Sequence, residues 1–251
     1  MAYGVFAEFY DGLTRNVNYD KKADFICGIF DRFNHKPTYA LDLACGTGTL
    51  TVELKKRGID IYGVDSSFEM LSQAQQKAGE EGLDILFLCQ KMQSLDLYGT
   101  ISTCVCTLDS ISHLQGANEV KQTFERVAAF TEKDGLFVFD VNTLFKHRDI
   151  LGNNTFVYDT DEVFCVWQNT FNENDNSVKI DLDFFIPEDR MYFRNSESFR
   201  EYAYPLDDIT KMLEDSGFEV LAVYDDMSFE PPKNDSQRAT FVARKKFDIT
   251  D

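Results

Sequence analysis

The sequence predicts an α/β protein: a doubly wound, mostly parallel sheet of seven strands carrying a small antiparallel β insertion. Three observations point there. An apolar run at 40–43 ends in a glycine turn and passes into a helix. Strand-like and amphipathic helical stretches then alternate as far as Val141, the mark of βαβ units. From Asn142 the periodicity changes to two, and the helix–strand pattern resumes only near residue 205.

Residues 41–48 read Leu-Asp-Leu-Ala-Cys-Gly-Thr-Gly. Gly46 and Gly48 permit a tight turn and close ligand approach. Leu50, Val52 and Leu54 start the following helix, and Gly58 stops it. Upstream, Ile26, Ile29, Phe30 and Phe33 form one face of a helix over 19–33. Residues 1–18 hold Tyr3, Phe6, Phe9 and Tyr10 in a short, partly helical stretch, which either packs on the core or closes over a ligand.

The second strand, 59–64, ends at Asp65. Ser66 and Glu69 match a capping box, with Ser66 as N-cap, and Met70, Leu71, Ala74 and Ala78 make the buried face of the next helix. Asp65 lies near the offset at which α/β nucleotide folds place an acid on ribose hydroxyls; as the alternative, it simply complements the helix dipole. Residues 85–88 form a third strand, leading to Gln90, Lys91 and Met92, and 101–108 a fourth, leading to Asp109 and His113. A helix from Asn118 is expected to close at Asp134-Gly135, before a fifth strand at 136–141.

Beyond it, Val178, Ile180, Leu182, Phe184 and Ile186 alternate with mostly polar residues, and 163–171 and 190–204 are likewise strand-like. The expected organisation is a core of 1–141 and 205–251 with an antiparallel insertion at 142–204. That insertion either packs its own aromatics or covers a substrate. A helix at 206–213 and strands at 218–224 and 239–244 complete the core.

The turn argues against two common sites, and a dehydrogenase is left as a distant third reading. A dinucleotide fingerprint needs a glycine at Thr51, and no Gly-Lys-Ser/Thr follows for a phosphate-cradling loop. The 41–48 stretch instead resembles the first motif of the class I S-adenosylmethionine (SAM)-dependent methyltransferases, with Ala44 where that family more often has glycine. The resemblance implies a Rossmann-like methyltransferase fold with SAM as cofactor. It implies that Asp42 and the turn Ala44, Cys45, Gly46, Thr47 and Gly48 hold the methionine portion. Asp65 would bind the ribose, with Ser66 and Met70 beside the adenine. Gln90, Lys91 and Met92 stand where the family places further adenine contacts, although lysine cannot accept from the adenine amino group. Leu108 or Asp109 would flank the transferable methyl, and Tyr10 or Tyr19 would close over the cofactor. If the acceptor arrives protonated, Asp109, His113 or Tyr202 are the candidate bases; His35 and His147 are expected elsewhere. His113 is equally an ordinary loop histidine.

The expected activity is methyl transfer to nitrogen or oxygen of a small molecule. An RNA or tRNA nucleoside methyltransferase and a SAM-binding regulatory protein without catalysis are the alternatives. With 25 basic against 43 acidic residues and a net charge of −18, the surface argues against polyanionic partners. No apolar run reaches the roughly 18 residues of a membrane span, and residues 1–11 do not read as a signal peptide. The six cysteines form no metal-ligand or disulfide pattern. A reducing, cytoplasmic setting is expected, with no metal; oligomeric state is left open.

Overall fold

A computed structural model describes residues 4–14 and 17–247; Tyr3 lies outside them. Helices α1 (Gly4–Leu13) and α2 (Tyr19–Arg32) precede β1 (Ala40–Leu43). Then follow α3 (Thr49–Lys56), β2 (Ile61–Asp65), α4 (Phe68–Glu80), β3 (Phe87–Cys89), β4 (Ile101–Cys106), α5 (Ala117–Phe130) and β5 (Thr131–Asn142). The seven-stranded sheet is finished by β10 (Phe218–Asp225) and β11 (Arg238–Lys245), after α6 (Leu206–Asp215). Its strand order is β10-β11-β5-β4-β1-β2-β3. Strands β1 to β5 pair in parallel, and β11 runs antiparallel between β5 and β10.

Two-residue alternation explains how one sheet feeds two cores. On β5, Phe137 and Phe139 join Phe124 and Phe241 on one face, while Leu136 and Val138 meet Ile26, Ile29 and Leu54 on the other. Strand β4 is buried along its whole length for the same reason.

A second sheet holds β6 (Thr155–Asp159), β7 (Phe164–Asn172), β8 (Ser177–Glu188) and β9 (Met191–Tyr202), paired antiparallel in sequence order. The inward residues Ile180, Leu182 and Phe184 of β8 cluster with Phe6, Phe9 and Leu13 of α1 and with Met70 of α4. Helix α1 thus lies between the second sheet and α4. A π-type turn at Lys146–Leu151 joins the two sheets.

Two local expectations need correction. The N-cap of α4 is Ser67, not Ser66: Met70 N–H donates to Ser67 Oγ at 3.2 Å. Asp65 Oδ1 accepts the Ser67 N–H at 2.8 Å, which delays the helix by one residue. Helix α5 ends at Phe130, well before Asp134-Gly135. Those two residues lie in an irregular stretch where Ile101 pairs with Thr131 but Thr103 already pairs with Leu136. A Cβ on Gly135 would fall 2.8 Å from the Ser102 carbonyl oxygen. The glycine answers a strand contact there, not a helix stop. Among the described residues, no helix is long and apolar enough to cross a membrane.

Candidate active site

The strand order reverses beside β1, where α/β folds open a crevice at the carboxyl ends of the strands. A cavity of about 420 Å³ lies there, between the turn after β1 and the second sheet.

The turn is held from several sides. Cys45 N–H donates to the Val64 carbonyl at 3.0 Å, and Gly46 N–H to Asp65 Oδ2 at 2.9 Å. Asp65 therefore uses one lone pair of each oxygen on backbone, Gly46 on one side and Ser67 on the other, and keeps a second on each for hydroxyls. Burial raises its pKa, and the bonds from Ser67 and Gly46 oppose the rise. Gly48 caps α3 with φ +71°, and an added Cβ would fall 2.7 Å from Ala74 Cβ. Ala44 also takes a left-handed φ, +58°, a conformation that costs a non-glycine residue about 1–2 kcal/mol.

Asp42 is buried at the end of β1 and accepts from Thr51 Oγ1 at 2.6 Å. Burial pushes its pKa up to about 7 against the effect of that bond, with the nearby Asp65 adding to the rise. Helix α1 latches onto the turn: Thr47 Oγ1 donates to Asp11 Oδ1 at 2.7 Å, and Lys77 Nζ to Asp11 Oδ2 at 2.6 Å. Tyr10 and Tyr19 line the cavity from α1 and α2. Burial lifts the Tyr19 hydroxyl to about 12, so it remains neutral.

The opposite half is aromatic, with charge at its base. Trp167, Phe6, Phe199 and His113 form a continuous row, with centroid separations of 6.3, 6.2 and 5.4 Å. Below it a polar chain crosses the floor. Glu201 Oε2 accepts from Asn142 Nδ2 at 3.2 Å, and Lys146 Nζ donates to Asn142 Oδ1 at 2.7 Å. Arg238 Nη2 donates to Asp109 Oδ2 at 2.7 Å, and Lys22 Nζ reaches Asp140 Oδ2 at 2.9 Å. Leu108 and Asp109, facing the cavity after β4, both hold left-handed φ values, 58° and 65°. Adjacent strained residues of this kind mark functional loops.

The donor set suits SAM. The cofactor brings an ammonium, a ribose diol and a sulfonium, and the cavity offers a buried carboxyl at Asp42 and a half-buried one at Asp65, with apolar contacts at Met70 and Met92.

Comparison with known proteins decides the family. A profile described as methyltransferase domain matches residues 40–135. A protein of Geobacillus sp. (strain WCH70), provisionally named a methyltransferase, is 33% identical over 247 residues, covering 98% of this chain and 100% of its own length. The crystal structure of a SAM-dependent methyltransferase from Clostridium acetobutylicum ATCC 824 superposes with a TM-score of 0.88 at 34% identity, covering 98% of this chain and 99% of its own. The chain belongs to the class I SAM-dependent methyltransferases. A sugar N-methyltransferase of Streptoalloteichus sp. ATCC 53650, 18% identical, shares the fold over 98% of this chain and 94% of its own, with a TM-score of 0.80.

Most of the residues that the methyltransferase sequence nominated do meet at the cavity. Tyr10, Tyr19, Asp42, Ala44, Cys45, Gly46, Thr47, Asp65, Ser66, Met70, Met92, Leu108, Asp109 and His113 line it. Four do not. Gly48 lies behind the turn, packed on Ala74. The Gln90 amide is taken up by the backbone of Asp96, donating to its carbonyl at 2.9 Å and accepting its N–H at 2.8 Å. Lys91 is exposed, and Tyr202 points away from the cavity lining. His147, expected elsewhere, is buried with Nε2 3.7 Å from Glu201 Oε2. Glu201, Asn142, Lys146 and Arg238 went unread because each is an unremarkable polar residue of a strand or turn. Only the packing of the insertion on the core brings them together.

Proposed function

We propose that this methyltransferase passes the SAM methyl group to a nitrogen or oxygen of a small-molecule acceptor. One observation carries the reading: the second sheet, with α1, roofs the cofactor turn with an aromatic chamber of limited volume. Such a chamber fits a small molecule better than a polymer. The net charge of −18 points the same way, and so does the fold shared with a sugar N-methyltransferase.

The roles follow from placement. Asp65 accepts the two ribose hydroxyls with its remaining lone pairs. Asp42 faces the methionine ammonium, the turn from Ala44 to Thr47 lies along the methionine portion, and Ser66, Met70 and Met92 flank the adenine. Leu108 lies beside the methyl, and Tyr10 and Tyr19 close the amino-terminal side. Residues 142–204 act as the substrate cover. When bound, SAM supplies a methyl activated on a sulfonium whose charge disperses during transfer. The chain contributes alignment and exclusion of water, and such positioning is worth roughly 7–11 kcal/mol in good cases. His113 is the proton acceptor where the acceptor needs one. Asp109 serves poorly as a base because Arg238 already holds its Oδ2.

Incubating the protein with methyl-labelled SAM and a cell extract, then separating the extract by molecular mass, tests the reading. Label in the low-mass pool is expected. Label in RNA, or bound SAM with no label transferred, would overturn it.

A further inference from the structure

We propose that the acceptor is an amine that arrives as an ammonium ion and docks on Glu201, a deduction that rests on the small-molecule transfer proposed above.

Glu201 lies on β9 and is 8% exposed. A buried carboxylate needs partners, and this one is only half supplied. Its Oε2 takes the Asn142 amide, with His147 Nε2 behind it at 3.7 Å. Its Oε1 accepts no hydrogen bond among the described residues; the nearest cationic candidate is His113 Nε2, at 3.9 Å. That oxygen belongs to a residue lining the cavity, as does His113. Burial alone would favour the neutral acid. The adjacent His147 imidazole and the Lys146 ammonium oppose it, and the pKa stays below the usual carboxylate range. An ionised oxygen with spare acceptor capacity thus faces the chamber.

The walls suit the same class of guest. Phe199 stands two residues before Glu201 on the same face of β9, and its ring continues the row to Phe6 and Trp167. Ring faces next to a carboxylate favour a cation over a neutral alcohol. Asp109, a second carboxyl residue of the lining, has its Oδ1 buried without a hydrogen-bond partner. Four carboxyl groups (Asp42, Asp65, Asp109 and Glu201) line the cavity against two cations, Lys146 and Arg238. SAM takes up Asp42 and Asp65, and Arg238 and Lys146 face Asp109, so Glu201 is the carboxylate left open to a cationic guest.

A docked ammonium must lose a proton to expose its lone pair. The N–H bond breaks toward His113 Nε2, and the imidazolium so formed is favoured by the carboxylates of Glu201, 3.9 Å away, and of Asp65, both of which feel its charge.

The test uses the full chain, methyl-labelled SAM and the low-mass fraction of an extract. Half of that fraction is first treated with acetic anhydride in water, which turns amines into uncharged amides and spares most alcohols. Label uptake is expected in the untreated half, in products retained by a cation exchanger, and its loss is expected in the acetylated half. Glu201→Gln should reduce uptake at least tenfold with SAM affinity unchanged by calorimetry, and Glu201→Asp should recover part of it. Uptake that survives acetylation, products that are not cationic, or full activity in Glu201→Gln would each overturn the amine assignment and leave small-molecule transfer standing. Bound SAM with no low-mass label would overturn both.

Discussion

The Thr51 hydroxyl donates to Asp42 Oδ2 across 2.6 Å, from the position where a dinucleotide fold would carry its third glycine. The side chain that departs from the dinucleotide pattern therefore steadies the carboxyl proposed to face the SAM ammonium. Thr51→Val removes this donor, so Asp42 should hold its proton to a higher pH than wild type. At neutral pH the loss of a hydrogen bond to a charged group predicts SAM binding weaker by about 1.5–3 kcal/mol. Calorimetry over a pH series checks the origin, because the deficit should shrink as pH rises.

Asp42 also gives the free protein a pH signature. Its folded pKa is raised to about 7, against about 3.9 in an unfolded chain. The folded state therefore binds the extra proton between those values. The stabilisation from this group is fully present below the unfolded value and is lost as pH rises through about 7. Thermal unfolding of wild type and Asp42→Asn should diverge across that window, with the wild-type slope the steeper. Saturating SAM should flatten the difference in wild type by supplying the ammonium that favours the ionised form.

Asp65 fastens Gly46 and fixes Ser67 at the start of α4, and it is the residue proposed to accept the ribose hydroxyls. Asp65→Ala is expected to weaken SAM binding by about 1.5–3 kcal/mol and to lower Tm as well, since two backbone N–H groups lose their acceptor. Unchanged affinity in calorimetry would remove Asp65 from the cofactor site.

The core was legible because its strands are short apolar runs between helices with one clean apolar face, and both patterns are local. That Asp42, Gly46 and Asp65 meet at one side of the cavity was legible for the same reason: they sit within one βαβ unit. What failed was either a one-residue choice or a matter of packing. Ser66 has the capping-box spacing to Glu69, yet the Asp65 carboxylate holds the Ser67 N–H and the helix starts one residue later. Gly48 reads as a ligand-facing glycine but is required by its contact with Ala74. The acceptor half draws Asn142, Lys146, Glu201 and Arg238 from β5, the following turn, β9 and β11. Their separations carry no period or motif, so no pattern along the chain could gather them.

Beneath the cavity, Lys22 and Asp140 form a buried pair at 2.9 Å, and Asp140 Oδ1 also accepts the N–H of Asp109 at 2.9 Å. This pair ties α2 to the end of β5 and supports the strained turn at Leu108 and Asp109. Lys22→Met leaves Asp140 buried with Arg238, 3.4 Å away, as its remaining cation. Removing one partner of a buried pair predicts a loss of about 3 kcal/mol, on the order of 6–12 °C in Tm for a chain of this size. Acid should narrow the gap. In wild type burial works to raise the Asp140 pKa, but Lys22 and Arg238 outweigh it and hold the carboxyl well below the usual range. The stability this confers is present above the unfolded pKa and is lost as pH falls through the folded one. Without Lys22 the depression is smaller, so wild type has more to lose on acidification. Denaturant unfolding at neutral and acid pH measures both stabilities, and a gap that stayed constant with pH would show that Lys22 acts by packing and not by charge.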